Sequence, residues 1–171
     1  MMSTSNLPEV WLRGPVDSVP SVLQPVAHAL LQANEEIHAM LADFPESRMW
    51  TRSLGMASVA FHVQHIAGVL DRLFTYASGS PLSAEQLQYL STEGIENPDI
   101  RLATLLQHLD RQIHASIDYL KKTDPLTVTN MREVGRKKLP STVLGLLFHS
   151  AEHTMRHTGQ LLVTSRLAQQ L

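Results

Sequence analysis

The chain has 171 residues, 43% of them hydrophobic and 18% charged, and a formal net charge of −2. That suffices for one domain with its own core, and it excludes both a disordered tail and a strongly basic nucleic-acid binder. No cysteine is present, so disulfides, thiolate metal sites and a cysteine nucleophile are excluded as well.

Residues 1–20 are rich in Pro, Ser and Gly and read as an irregular lead-in. They carry no basic region followed by an apolar run, so no signal peptide is expected. The apolar stretches read as far short of a membrane span, and the expectation is a cytoplasmic protein without membrane or nucleic-acid partners. Pro25 suits the first turn of a helix. Val26, Leu30, Ala33, Ile37 and Leu41 then recur at helical spacing until Pro45 stops the helix near Phe44. A linker to Gly55 leads into a second helix, from about Ala57 to Ser78. Its apolar line is Val59, Ile66, Val69, Leu70 and Leu73, with Gln64 and Asp71 opposite. Gly79 and Pro81 end it. Within the connection 79–98, Ser83-Ala84-Glu85-Gln86 has the form of a capping box and predicts a short helix.

Asn97-Pro98 reads as the N-cap and first residue of a third long helix, which carries Leu102, Leu105, Leu109, Ile113, Ile117 and Leu120 until Asp124-Pro125. Leu126–Thr129 reads as a short extended piece. The segment 126–139 also holds Gly135 and a basic cluster of Arg132, Arg136, Lys137 and Lys138. Ser141 predicts the cap of a fourth helix that runs to about Gln169. There is no internal repeat, heptad array or low-complexity tract. Four long helices and one link of this length predict a single all-α domain over residues 1–171, a four-helix bundle with a crossover between helices 2 and 3.

Histidine accounts for nine residues, while aromatics are only 5%. Histidine is both a common metal ligand and a proton carrier near neutral pH. On the fourth helix His149, His153 and His157 fall at i, i+4 and i+8, and such residues stack on one face. That face continues through Leu146, Thr164 and Leu167, so the histidines share it with core residues. Buried imidazoles need partners for their ring nitrogens, and a metal ion is one such partner. Two histidines four apart are a weak signal, because roughly 0.5 such pairs arise by chance at this composition, and three in register are rarer by a factor of about 20. Hydrogen-bonded core or surface histidines remain the alternative. On the second helix, periodicity puts His62 near the centre of the apolar face and His65 at its edge. His28 and His38 are out of phase with each other, His108 falls between Leu105 and Gln112, and His114 shares a solvated face with Asp110 and Asp118.

The run SVAFHVQHIAGVLDRL in the second helix, followed about 90 residues later by LLFHSAEHTMRHTGQLL, resembles the DinB-like superfamily, the damage-inducible family of bacterial metal-binding four-helix bundles. The likeness extends over roughly residues 22–169. Its most specific part is the run His153, His157, Gly159 and Gln160. The resemblance implies one ligand from the second helix and two from the last, here His65, His153 and His157, and so selects His65 where periodicity leans to His62. His62 and His149 then lie a turn away as a pocket proton carrier, a partner to a ligand, or packed residues. Three histidines would leave open positions on one divalent ion, zinc, nickel, iron or manganese, as in catalytic sites. Some members of the superfamily are thiol transferases or isomerases that use a low-molecular-weight thiol. The expectation is therefore a small-molecule substrate and a metal-dependent transferase or hydrolase chemistry, with a non-catalytic metal-binding or stress-response protein as the alternative.

Glu152 is a candidate general base, although an ion pair with Arg156 four residues on accounts for it more simply. The basic cluster reads either as a solvated loop or as an anion holder at the site's mouth. On the back of the fourth helix, Leu144, Ala151, Met155 and Leu162 make a second apolar side. Either a second copy in a homodimer or the N-terminal lead-in with Val10, Trp11 and Leu12 would cover it, and the dimer is preferred.

Overall fold

Pro25 stands in the first turn of α1 (Gln24–Leu41), where its missing N–H is no loss. The computed structural model describes residues 7–170. Val26, Leu30, Ala33, Ile37 and Leu41 are all buried, as their spacing predicts. The lead-in forms short 3-10 turns at Val10–Leu12 and Ser21–Leu23. It packs on α1, where the Val10 N–H donates to Gln32 Oε1 at 2.8 Å and Arg13 pairs with Glu35. The predicted first six residues of the lead-in lie outside the described residues.

Ser58 caps α2 (Val59–Ala77), its Oγ accepting from the Phe61 N–H at 3.2 Å. The helix differs from expectation on its polar side. Asp71 is half-buried as Leu73 is, while Gln64 and Arg72 are buried along with Val59, Ile66, Val69 and Leu70. What covers Gln64 and Arg72 is α3 (Ala84–Thr92), which lies on α2. The predicted capping box is complete: the Gln86 N–H donates to Ser83 Oγ at 3.2 Å, and the Ser83 N–H donates to Gln86 Oε1 at 2.9 Å. Gly68 allows the close approach. A methyl group there would lie 2.7 Å from Arg72 Nη1 and 2.8 Å from the Tyr89 ring, and would collide with Glu93 Oε1.

Asn97-Pro98 does not start the next helix. The Asn97 side chain accepts from the Asp99 N–H at 2.9 Å and its carbonyl accepts from the Ile100 N–H, closing a turn. α4 (Leu102–Lys122) begins only after it. Asn and Asp close such local turns as readily as they cap helices, which is why the signal misplaces the start. Leu126–Thr129 is not extended either. Asp124 accepts from the Leu126 N–H and sets a 3-10 turn at Pro125–Thr127. Two strands come later, β1 (Met131–Val134) and β2 (Leu139–Thr142), an antiparallel hairpin pairing Met131 with Thr142 and Val134 with Leu139. Gly135 at φ +67° opens its turn. The cap of α5 (Val143–Gln170) is Thr142 rather than Ser141, its Oγ1 accepting from the Gly145 N–H at 3.0 Å.

Among the described residues the fold is mostly helical, with five α-helices and one hairpin. α5 packs on α1 and α2, and α4 packs on the same two from another side. Leu30, Ile37, Ile66, Leu70, Leu109 and Leu147 fill the space between them. By length and composition the stretch Ser53–Ala77 is apolar enough to cross a membrane, which revises the expectation that nothing comes near a span. Most of it is buried inside the protein, so the core accounts for its apolarity. On the back of α5, Ala151 is buried, Leu144 and Met155 are half-buried, and Leu162 and Phe148 are exposed.

Candidate metal centre

Two helices bring the histidines together. On α2, His62 and His65 are one turn apart, and on α5, His153 and His157 are four apart. His62 meets His157 and His65 meets His153, so the two helices run antiparallel here. His65, His153 and His157 each offer one nitrogen, and these nitrogens all lie within 4.8 Å of one another. His65 Nε2 and His153 Nε2 are 3.0 Å apart. Two imidazole nitrogens bound to one ion at about 2.0–2.1 Å stand about 3.0 Å apart at a right angle and about 3.4 Å apart in a tetrahedron. The spacing therefore fits a shared ion. The ring of Phe61 stacks on His65 at 5.0 Å.

The electrostatics favour lone pairs over charge. Burial pushes the pKa values of His62, His153 and His157 down to about 4, and the neighbouring histidines push the same way. These rings are neutral at pH 7 and are available as ligands. His153 Nδ1 is buried with no hydrogen-bond partner, an arrangement that is costly for a ring held in place by hydrogen bonds alone.

Two further side chains grip the cluster from behind. His65 Nδ1 donates to Glu93 Oε2 at 2.7 Å, and the other oxygen of Glu93 accepts from Arg72. The Glu93 side chain is only 4% exposed. It sits at the end of α3, where Gly94 N–H donates to Gln64 Oε1 at 2.9 Å and Tyr89 OH donates to the Gln64 carbonyl. Gly94 has φ +76°, and a side chain there would meet the Phe61 ring at 2.8 Å. His62, 4% exposed, lies with its Nδ1 3.1 Å from His157 Nδ1 and its Nε2 3.3 Å from Thr164 Oγ1. Periodicity places His62 deepest, and it is deepest. The half-buried rim position of His65 is the one that joins the cluster.

His149 is exposed and pairs with Glu152 at 2.6 Å. Burial works against the Glu152 carboxylate, but hydrogen bonds from His149 and Arg156 outweigh it and hold its pKa below the ordinary range. The Arg156 pair is thus present as the spacing suggests. His149, Glu152 and His153 also come within reach of one another as a second, more exposed group. The other histidines serve elsewhere. His28 contacts the Gly14 carbonyl, His38 bonds Asp110, His108 is half-buried against Tyr89, and His114 is exposed.

A cavity of about 600 Å³ adjoins the cluster. It is lined by His62, Gln160, Thr164, Arg156 and Gly159 and by the apolar Met56, Ala57 and Val163. The basic cluster does not form its mouth. Arg132, Arg136 and Lys138 line a different cavity of about 770 Å³ at the C-terminal end of α2, and no histidine borders it. Arg132 Nε donates there to the Ala77 carbonyl at 2.8 Å, and Lys138 pairs with Glu133. Arg132 is therefore a tie between hairpin and helix.

Sequence reasoning missed Glu93 and Arg72, and it placed Thr164 on the histidine face without a role. Nothing in helical periodicity marks a glutamate in a connection, and only its Glu-Gly step hinted at a tight local turn.

A model of the DinB superfamily matches residues 29–161, well over half of the chain. Among solved structures, a conserved protein from Enterococcus faecalis is similar in fold, with a TM-score of 0.70 at 19% identity, covering 89% of this chain and 99% of the other. No curated protein matches the chain.

Proposed function

The chain belongs to the DinB superfamily, and on that premise we propose that it holds one divalent ion on His65, His153 and His157 and acts on a small molecule bound in the cavity beside His62. The convergence of three imidazole nitrogens from two helices, with the His153 and His157 rings held neutral by burial, carries this reading. Three ligands leave coordination positions open, as catalytic sites do. Zinc, nickel, iron and manganese all accept such a donor set. Once bound, the ion would supply Lewis acidity, suited to a thiol transferase with a low-molecular-weight thiol or to a hydrolase.

The chain's own residues divide the remaining work. Met56, Ala57 and Val163 offer an apolar wall to the body of a substrate, while Gln160, Thr164 and His62 offer hydrogen bonds to its polar end. His62 is neutral and buried, so it can accept or donate one proton at Nε2, beside Thr164. Arg156 at the rim, already paired with Glu152, suits the anionic end of a thiol carrier. Glu152 and His149 hold each other and take no direct part. We read the four long helices as the bundle of one domain over residues 1–171, with 79–98 as its crossover, and the exposed Phe148 and Leu162 on α5 as contacts for a second copy.

Elemental analysis of the purified protein tests the site, beside a His153→Ala, His157→Ala double variant. The wild type is expected to carry close to one equivalent of divalent metal and the variant almost none. Equal metal in both would end the reading. Stoichiometric metal with no turnover of thiol or ester substrates would favour the binding protein over the enzyme.

A further inference from the structure

α3 is a nine-residue helix with no buried residue, and Leu87 and Leu90 on it are 43% and 42% exposed. A helix this short is marginal in water, so tertiary contacts must hold it. Those contacts are mostly polar: in its first turn Gln86 Nε2 donates to Thr75 Oγ1 and the Asp71 carbonyl of α2, and the rest lie toward its C-terminal end. Tyr89 and Gly94 bond Gln64, and Glu93 reaches in between Arg72 and His65. Glu93 is thus at once one anchor of α3 and the acceptor for the ring nitrogen of His65 that faces away from His153.

Resting on the metal site proposed above, we infer that Glu93 is a positioning residue for the ion, and that ion binding and the docking of α3 on α2 are coupled through it. The reasoning is chemical. His65 uses Nε2 toward His153, so its Nδ1 must carry the proton. A carboxylate that accepts this proton fixes the tautomer, orients the ring and makes Nε2 a better donor. Arg72, itself 8% exposed, holds Glu93 by its second oxygen and leaves it little freedom. Gly68 clears the space for the pair. Coupling is reciprocal: whatever α3 adds to ion affinity, the ion adds to the docking of α3.

The test uses Zn²⁺ as the probe, with dissociation constants measured by competition against a chromophoric chelator. Hydrogen exchange of residues 84–94 is followed with and without the ion. The proteins compared are the full-length wild type, Glu93→Gln, and a Glu93→Leu, Arg72→Leu double variant that leaves no buried charge unpaired. Melting of each metal-free protein checks that it folds. The double variant is expected to bind Zn²⁺ roughly 10- to 100-fold more weakly. Glu93→Gln, which keeps an acceptor oxygen, should lose less. Zn²⁺ should slow exchange at 84–94 in the wild type and not in the double variant. Folded variants that bind within about threefold of wild type and show unchanged exchange would overturn the inference while leaving the site intact. A wild type that binds no Zn²⁺, or a His153→Ala, His157→Ala variant that binds as tightly as wild type, would overturn both.

Discussion

Lowering the pH of the metal-free protein from 7.5 to 5.0 should destabilise it through its buried imidazoles. His62 carries most of this effect, because it is 4% exposed and burial holds its pKa near 4 instead of the ordinary 6.5. The sign follows from proton counting. Between those two values the unfolded chain takes a proton that the folded chain refuses, so stability is complete above about pH 6.5 and is lost as pH falls toward 4. Evaluating the two titrations at pH 5 gives about 2 kcal/mol from His62 alone. His153 and His157 are pushed the same way but are partly exposed, so their shares are smaller. Carboxylates elsewhere also titrate in this window, so the measurement is a difference. Urea unfolding of chelator-treated wild type and of His62→Leu is compared at both pH values. The wild type should lose about 2 kcal/mol more than the variant. Equal losses in the two proteins would refute the claim that His62 is held neutral by its surroundings.

Three more outcomes follow from the contacts described. Gly68→Ala should displace α3 and destabilise the protein by about 1–3 kcal/mol, read as a lower melting temperature and faster exchange over residues 84–92. An unchanged amide pattern there would contradict the tight seat. Zn²⁺ at about 100 times its dissociation constant should add about 2.7 kcal/mol of stability to the wild type. The His153→Ala, His157→Ala variant should melt at the same temperature with or without the ion. Thr142→Ala should cost about 1 kcal/mol as the lost cap of α5, and Ser141→Ala close to nothing; the reverse order in thermal melts would restore Ser141 as the cap.

The parts legible in the sequence are those governed by local rules. The apolar spacing of α1, the capping box of Ser83 and Gln86, and the four-residue step from His153 to His157 each need only one helix to be understood. The parts that were not legible depend on what lies across the fold. Gln64 reads as lying opposite the apolar line because periodicity knows one helix at a time, and α3 then covers it together with Arg72. Glu93 becomes informative only once the end of α3 meets His65. Asn97 and Asp124 carried correct signals for a chain reversal. Those signals do not distinguish a helix start from a self-contained turn, so the sequence places the start of α4 too early and does not reveal the hairpin. The choice between His62 and His65 shows the same limit. Depth favours His62, and both rings meet α5, but it is His65 whose nitrogen gathers with those of both His153 and His157.

The hairpin offers an experimental handle. Its turn, Gly135 to Lys138, is exposed, and Arg132 pins the strands to the last carbonyl of α2. Ala77 lies twelve positions on from His65, about 18 Å along the axis. A fluorophore or affinity tag grafted at the turn would report on the protein or immobilise it without crowding the imidazoles, which a terminal polyhistidine would compete with for metal.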